Sequence, residues 1–116
     1  MTVLRSVVLG CGSYLPERIL TNAELAQRID TSDEWIVQRT GIRERRFIEH
    51  EGIGASDLAV PATKMALEHA GLSERDIDAI VFATLSPDHN FPGSGCFLSD
   101  KLGLARRAAI DEMDAG

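Results

Sequence analysis

The apolar positions of this 116-residue chain fall into short blocks separated by polar, turn-rich stretches, and the blocks carry two different periods. Residues 3–9 are mostly aliphatic and predict a strand running into the turn-rich segment 10–16. Thr21 with Glu24 three positions later is a capping box, opening a short helix expected to extend through Ile29. Ser32 starts a second short helix, where Asp33 and Glu34 suit the positive N-terminal end and Gly41 suits the stop. Residues 42–48 alternate imperfectly and predict an exposed strand or hairpin.

The longest helical pattern covers residues 55–70, with Leu58, Ala62, Met65 or Ala66, and His69 or Ala70 along one face. Pro61 lies inside it and is expected to remove one backbone bond and kink the helix, which Gly71 ends. Residues 77–84 are continuously apolar, the signature of a strand covered on both faces. A helix over 93–102, stopped by Gly103, and a strand beginning at 108–111 complete the order. Strands alternate with helices, so the predicted class is α/β with a largely parallel sheet and right-handed crossovers.

Composition narrows the function classes. The chain is 44% hydrophobic and 26% charged, an ordinary globular profile, and its length fits one domain or part of one. No apolar run approaches the roughly 20 residues of a membrane span. Eighteen acids against twelve bases give −6, with nine acids in each half, which argues against bulk nucleic-acid binding but leaves room for one local anion site. Cys11 and Cys96 make no disulfide framework, and with His50, His69 and His89 they show no metal-ligand spacing, so no metal site is expected. Val8-Leu9-Gly10-Cys11 looks like a lipoprotein cleavage box, but the three apolar residues before Gly10 are too few for a secretory core of about 7–15.

Candidate chemistry concentrates in two places. The Gly10-Cys11-Gly12-Ser13 turn lacks the Gly-Lys-Ser/Thr ending of a phosphate loop and the third glycine of a dinucleotide fingerprint, and reads as a tight turn. Residues 30–41 are more informative. Trp35, the only tryptophan, precedes Arg39 by four positions, so both lie on one helical face. An indole beside a guanidinium can sandwich a planar ring and hold phosphate bidentately. Arg43, Arg45 and Arg46 bring the count to four arginines within eight residues. The competing reading is a core tryptophan beside a solvated basic strand.

These stretches resemble the N-terminal part of the β-ketoacyl-acyl-carrier-protein synthase III family of the thiolase-like superfamily. The resemblance rests on Gly10-Cys11-Gly12-Ser13-Tyr14-Leu15-Pro16, Thr21-Asn22, residues 30–41, Ile42-Arg43-Glu44-Arg45, Ala83-Thr84, Phe91-Pro92 and Leu102-Gly103. It implies a partial thiolase-like domain over 1–116, the N-terminal portion of a layered α/β/α domain with a largely parallel mixed sheet. It also implies a decarboxylating acyltransferase of fatty acid biosynthesis, in which acetyl-CoA loads a cysteine and malonyl-ACP condenses with the bound acetyl group. The implied partners are acyl-CoA, acyl carrier protein and a second copy of the chain in a homodimer, with no nucleic acid, membrane or resident cofactor. The implied location is cytoplasmic. By this resemblance Thr31, Trp35 and Arg39 hold the CoA nucleotide, and Phe91 closes the acyl pocket across the dimer; by itself Phe91 before Pro92 would read as a helix-start staple.

The resemblance breaks at the nucleophile. The family's cysteine comes five residues after the aspartate matching Asp111, and Gly116 stands there instead, after an atypical Glu112-Met113-Asp114. The His and Asn of the family's active site have no counterpart in this chain, so residues 1–116 alone are expected to be inactive. Cys96 near a helix start and Cys11 in the first turn read as structural, since nothing in the sequence orients His89 toward Cys96. Two other readings are a thiolase-like synthase using a different acyl-CoA, and a non-catalytic binding or dimerisation module.

Overall fold

The computed structural model describes residues 3–104 and, as backbone, 108–112. Contacts divide the chain into two compact units, one formed by Leu15–Gly52 and one by the segments on either side of it.

The Leu15–Gly52 unit holds β1 (Arg18–Thr21), α1 (Asn22–Leu25), α2 (Asp33–Thr40) and β2 (Glu44–Phe47). The strands pair antiparallel, with Arg18 opposite Phe47 and Thr21 opposite Glu44. Thr21 caps α1 by accepting the Glu24 amide at 3.2 Å. The Glu24 carboxylate pairs with Arg18 and Arg28. Helix α1 is therefore shorter than the expected span through Ile29, although turn bonds from Arg28 and Ile29 to the Leu25 carbonyl carry the coil onward. Helix α2 begins and ends as its sequence dictates. Ser32 accepts the Trp35 amide at 3.2 Å, and Gly41 closes the helix at φ +73°, where a side chain would be strained. Leu20 and Ile36 are the buried apolar side chains of this unit.

The other unit holds α3 (Ala55–Ala70), a 3-10 turn (Glu74–Asp76), β3 (Ala79–Ala83), α4 (Ser94–Lys101) and β4 (Ala108–Glu112). Strands β3 and β4 pair parallel, with Ala79 opposite Ala108 and Ala83 opposite Glu112, so β3, α4 and β4 form a βαβ unit. Helix α4 packs against both strands and against α3. A cavity of about 470 Å³ is lined from α3, β3 and α4, with Ile80 and Phe82 on the strand and Leu98 on the helix among its walls. Helix α3 runs unbroken through Pro61.

Two expectations from the apolar pattern need correction. Residues 3–9 form no strand: no ladder partner lies beside them among the described residues, and their aliphatic side chains are largely exposed, Val8 at 88%. A strand is defined by its neighbour, and apolar content alone does not supply one. The 77–84 segment is a strand over Ala79–Ala83, but it pairs with β4 alone among the described residues, and Val81 is 65% exposed. Among the described residues it is thus neither central nor covered on both faces. The sheet content among the described residues is correspondingly divided, one parallel pair and one antiparallel pair.

Candidate functional site

Helix α2 carries the strongest candidate. Its N-terminal turn and the three residues before it line a recess of about 350 Å³, formed by Asp30, Thr31, Ser32 and Trp35. The Thr31 Oγ1 is buried there without a hydrogen-bond partner. Trp35 is 54% exposed, and the Arg39 guanidinium carbon lies 5.1 Å from the indole centroid. Four residues along a helix make just over one turn, which brings these side chains side by side. Ile36, not Trp35, is the residue α2 buries. The core-tryptophan reading therefore fails for this chain: the recess offers a flat apolar wall and an unused hydroxyl, and the Arg39 cation stands over the indole outside the recess lining.

The arginines after α2 divide by role. Arg45 donates from Nη2 to the Asn22 side-chain oxygen at 2.8 Å, and Arg46 donates to the Pro16 and Glu17 carbonyls at 3.3 and 3.4 Å. Those two tie β2 to Asn22 and to the residues just before β1. Arg39 and Arg43 form no ion pair among the described residues, which leaves their charge available to an anion. Phe91 belongs to the other unit, precedes the cis bond to Pro92, and is 89% exposed. Such exposure rules out the helix-start staple, whose side chain would pack on the first turn of α4. Gly116, at the family's cysteine position, lies outside the described residues.

Two clusters escaped the sequence reading. In the first, Asp88 accepts from the Ser56 amide at 3.0 Å, the Ser56 hydroxyl at 2.7 Å and the Ser94 hydroxyl at 2.6 Å. Both serines are fully buried. Lys101 donates to the Ser56 hydroxyl at 2.7 Å and to Asp57 at 2.6 Å. Burial pushes the Asp88 carboxyl up, but the bonds from Ser94 and Ser56 outweigh it and hold Asp88 below the usual carboxylate range. Asp57 is likewise lowered, mainly by the Lys101 hydrogen bond and then by the Gly54 amide. The Ser56 and Ser94 hydroxyls are closed off from solvent, so this cluster fastens elements together. The partners are 32 and 45 positions apart, beyond any local sequence signal.

In the second cluster, His69 Nδ1 accepts from the Cys11 amide at 3.2 Å, with the Cys11 sulfur 3.7 Å away. Both cysteines are exposed free thiols. His89 does not serve Cys96; its ring lies against Phe97 at 5.1 Å between centroids. Among the described residues no group of three or more His, Cys, Asp or Glu could hold a metal ion, and no helix is long and apolar enough to cross a membrane.

No family model matches the chain. Individual proteins do. A β-ketoacyl-acyl-carrier-protein synthase III of Bradyrhizobium diazoefficiens is 58% identical over 111 residues, covering 96% of this chain and 34% of that protein. The crystal structure of 3-oxoacyl-acyl-carrier-protein synthase III from Aquifex aeolicus superposes with a TM-score of 0.81 at 43% identity, covering 90% of this chain and 33% of that one. The priming β-ketosynthase of a polyketide biosynthetic pathway gives 0.82 at 37% identity, covering 91% and 31%. The chain spans about a third of the length of the relatives it matches. The likeness to the synthase III family read from the motifs is upheld, and so is the α/β, thiolase-like fold class.

Proposed function

We propose that this chain is the N-terminal third of a β-ketoacyl-acyl-carrier-protein synthase III-type condensing enzyme, with acyl-CoA bound through Thr31, Trp35 and Arg39. The observation that carries the reading is the exposed Trp35–Arg39 pair beside a recess holding the unpartnered Thr31 hydroxyl. A purine ring stacks on the indole, the guanidinium meets phosphate oxygens, and Thr31 supplies a donor. The reaction is acetyl transfer from CoA to an enzyme cysteine, then condensation with malonyl-ACP and loss of carbon dioxide. Acyl-CoA is a substrate, and no resident cofactor is proposed. Acyl carrier protein is the second substrate, the whole enzyme is a cytoplasmic homodimer, and Phe91, exposed in this chain, reaches the partner's acyl pocket. A polyketide-priming reaction is the alternative supported by the 0.82 superposition, but identity is higher to the fatty-acid enzymes.

Kinetics of the full-length enzyme test the clamp. Trp35→Ala or Arg39→Ala is expected to raise the KM for acyl-CoA about tenfold, in line with about 1–3 kcal/mol for a lost base stack, while kcat falls much less. The nucleotide is remote from the reacting carbon, so its contacts act as uniform binding. Unaltered constants in both variants would refute the clamp.

A further inference from the structure

We infer that Asn22 is a positioning residue for the Trp35–Arg39 pair, fixing through Asp33, Ile42 and Arg45 the angle at which α2 presents indole and guanidinium. The inference rests on the acyl-CoA reading above and adds the part of the chain that holds that site in shape.

Helix α2 has little else to hold it. Eight residues are too few for a helix to be stable alone, since isolated helices shorter than about 12–15 residues are marginal in water. Only Ile36 anchors it by burial, and the two side chains that would meet the ligand are exposed. Both ends of the helix instead converge on one amide. Asn22, 1% exposed, donates from Nδ2 to Asp33 Oδ1 at 2.8 Å and to the Ile42 carbonyl at 2.7 Å. Asp33 is the first residue of α2, and Ile42 follows its closing glycine. The amide oxygen accepts from Arg45 on β2 at 2.8 Å, and the Asn22 backbone amide donates to the Arg43 carbonyl at 3.2 Å.

Two acceptors and one donor converge on one small side chain. Aspartate lacks the donors, a hydroxyl has one, and an aliphatic side chain has none, so these three partners call for a carboxamide. The Asn22 carboxamide has a partner for each of its donors and for its oxygen, and a buried amide so satisfied selects one geometry, because each alternative strands a polar group away from water. Asn22 is too buried to touch a ligand itself, and its effect on affinity runs entirely through α2.

The test is steady-state kinetics of the full-length enzyme with varied acyl-CoA, comparing Asn22→Ala, Asp33→Ala, Asp33→Asn and Trp35→Ala. Asn22→Ala and Asp33→Ala are expected to raise KM about fivefold to tenfold with kcat within about twofold of the parent. Asp33→Asn keeps an acceptor oxygen facing Asn22 and is expected to restore KM to near the parent value. Asp33 is exposed, so its variants carry the test even where the buried Asn22→Ala does not fold. A raised KM in Trp35→Ala with unaltered constants in Asp33→Ala would overturn the positioning role and leave the clamp standing. Unaltered KM in Trp35→Ala would instead show the clamp reading itself to be at fault. Equal losses of kcat in Asp33→Ala and Asp33→Asn would mark Asp33 as generally structural and likewise overturn the proposal.

Discussion

Gly12 shows how much a single missing side chain can decide. A Cβ placed on it would lie 2.3 Å from the Ala62 carbonyl oxygen and 2.5 Å from the Ala66 amide, and one on Gly10 would meet Ala66 and Ala70 backbone at 2.5 and 2.8 Å. Residues 10–13 carry no turn or bend, contrary to the tight turn expected from their glycines, and the segment rests directly on the helix backbone, over a stripe of alanines spaced four apart. Those neighbours are helix backbone and cannot swing aside, so Gly12→Ala must push the segment off α3. The expected cost is about 2 kcal/mol, or about 10 °C in Tm by circular dichroism. An unaltered Tm would show that the segment can lift away freely. Glycines so spaced suggest a turn, and their true role, close approach to a helix, is hidden from the sequence because that helix is about 50 residues away in the chain. Trp35 and Arg39 were legible for the opposite reason: four positions on a helix make neighbours whatever else the fold does.

At the level of elements, the caps were readable and the fastenings between elements were not. Ser32, Gly41 and Gly71 act on groups within a few residues, so residue type and spacing reveal the ends of α2 and α3. Strand β1 was missed because its four residues, Arg-Ile-Leu-Thr, gain strand character only from pairing with β2. Asp88 was missed because it joins the start of α3 to the start of α4 across the chain, while Lys101 at the far end of α4 completes the link. That fastening should be acid-sensitive. A carboxyl held below its unfolded value stabilises the fold fully above about pH 4–5 and loses that contribution as pH falls through the folded value. Asp88→Asn is expected to cost about 1–3 kcal/mol at pH 7, since it faces two serine donors with a donor of its own. Its Tm deficit relative to the parent should shrink as the pH of the melt is taken below 4. A deficit constant from pH 7 to pH 3 would show that charge on Asp88 is irrelevant.

The whole molecule raises the question of what 116 residues can do by themselves. The apolar character of residues 3–9 was read correctly and its consequence was not, because a strand's partner is supplied by the rest of a fold and cannot be inferred from the segment. Catalysis has the same non-local character. Decarboxylative condensation needs a thiolate that accepts the acetyl group and donors that stabilise the enolate left when carbon dioxide departs. This chain has two cysteines, and neither meets that requirement. Cys96 is exposed on α4 with His89 turned against Phe97. Cys11 lies closer to a base, 3.7 Å from His69 Nδ1, but the Cys11 amide donates to that nitrogen at 3.2 Å and competes for its lone pair. Residues 1–116 produced alone are therefore expected to form no stable acetyl-thioester with labelled acetyl-CoA, by intact-protein mass and peptide mapping. Gly116→Cys should not change that result, since a thiol without a base and oxyanion donors stays an ordinary thiol. A hydroxylamine-sensitive acetyl adduct on Cys11, lost in His69→Ala, would overturn this prediction and make the Cys11–His69 contact a functioning pair.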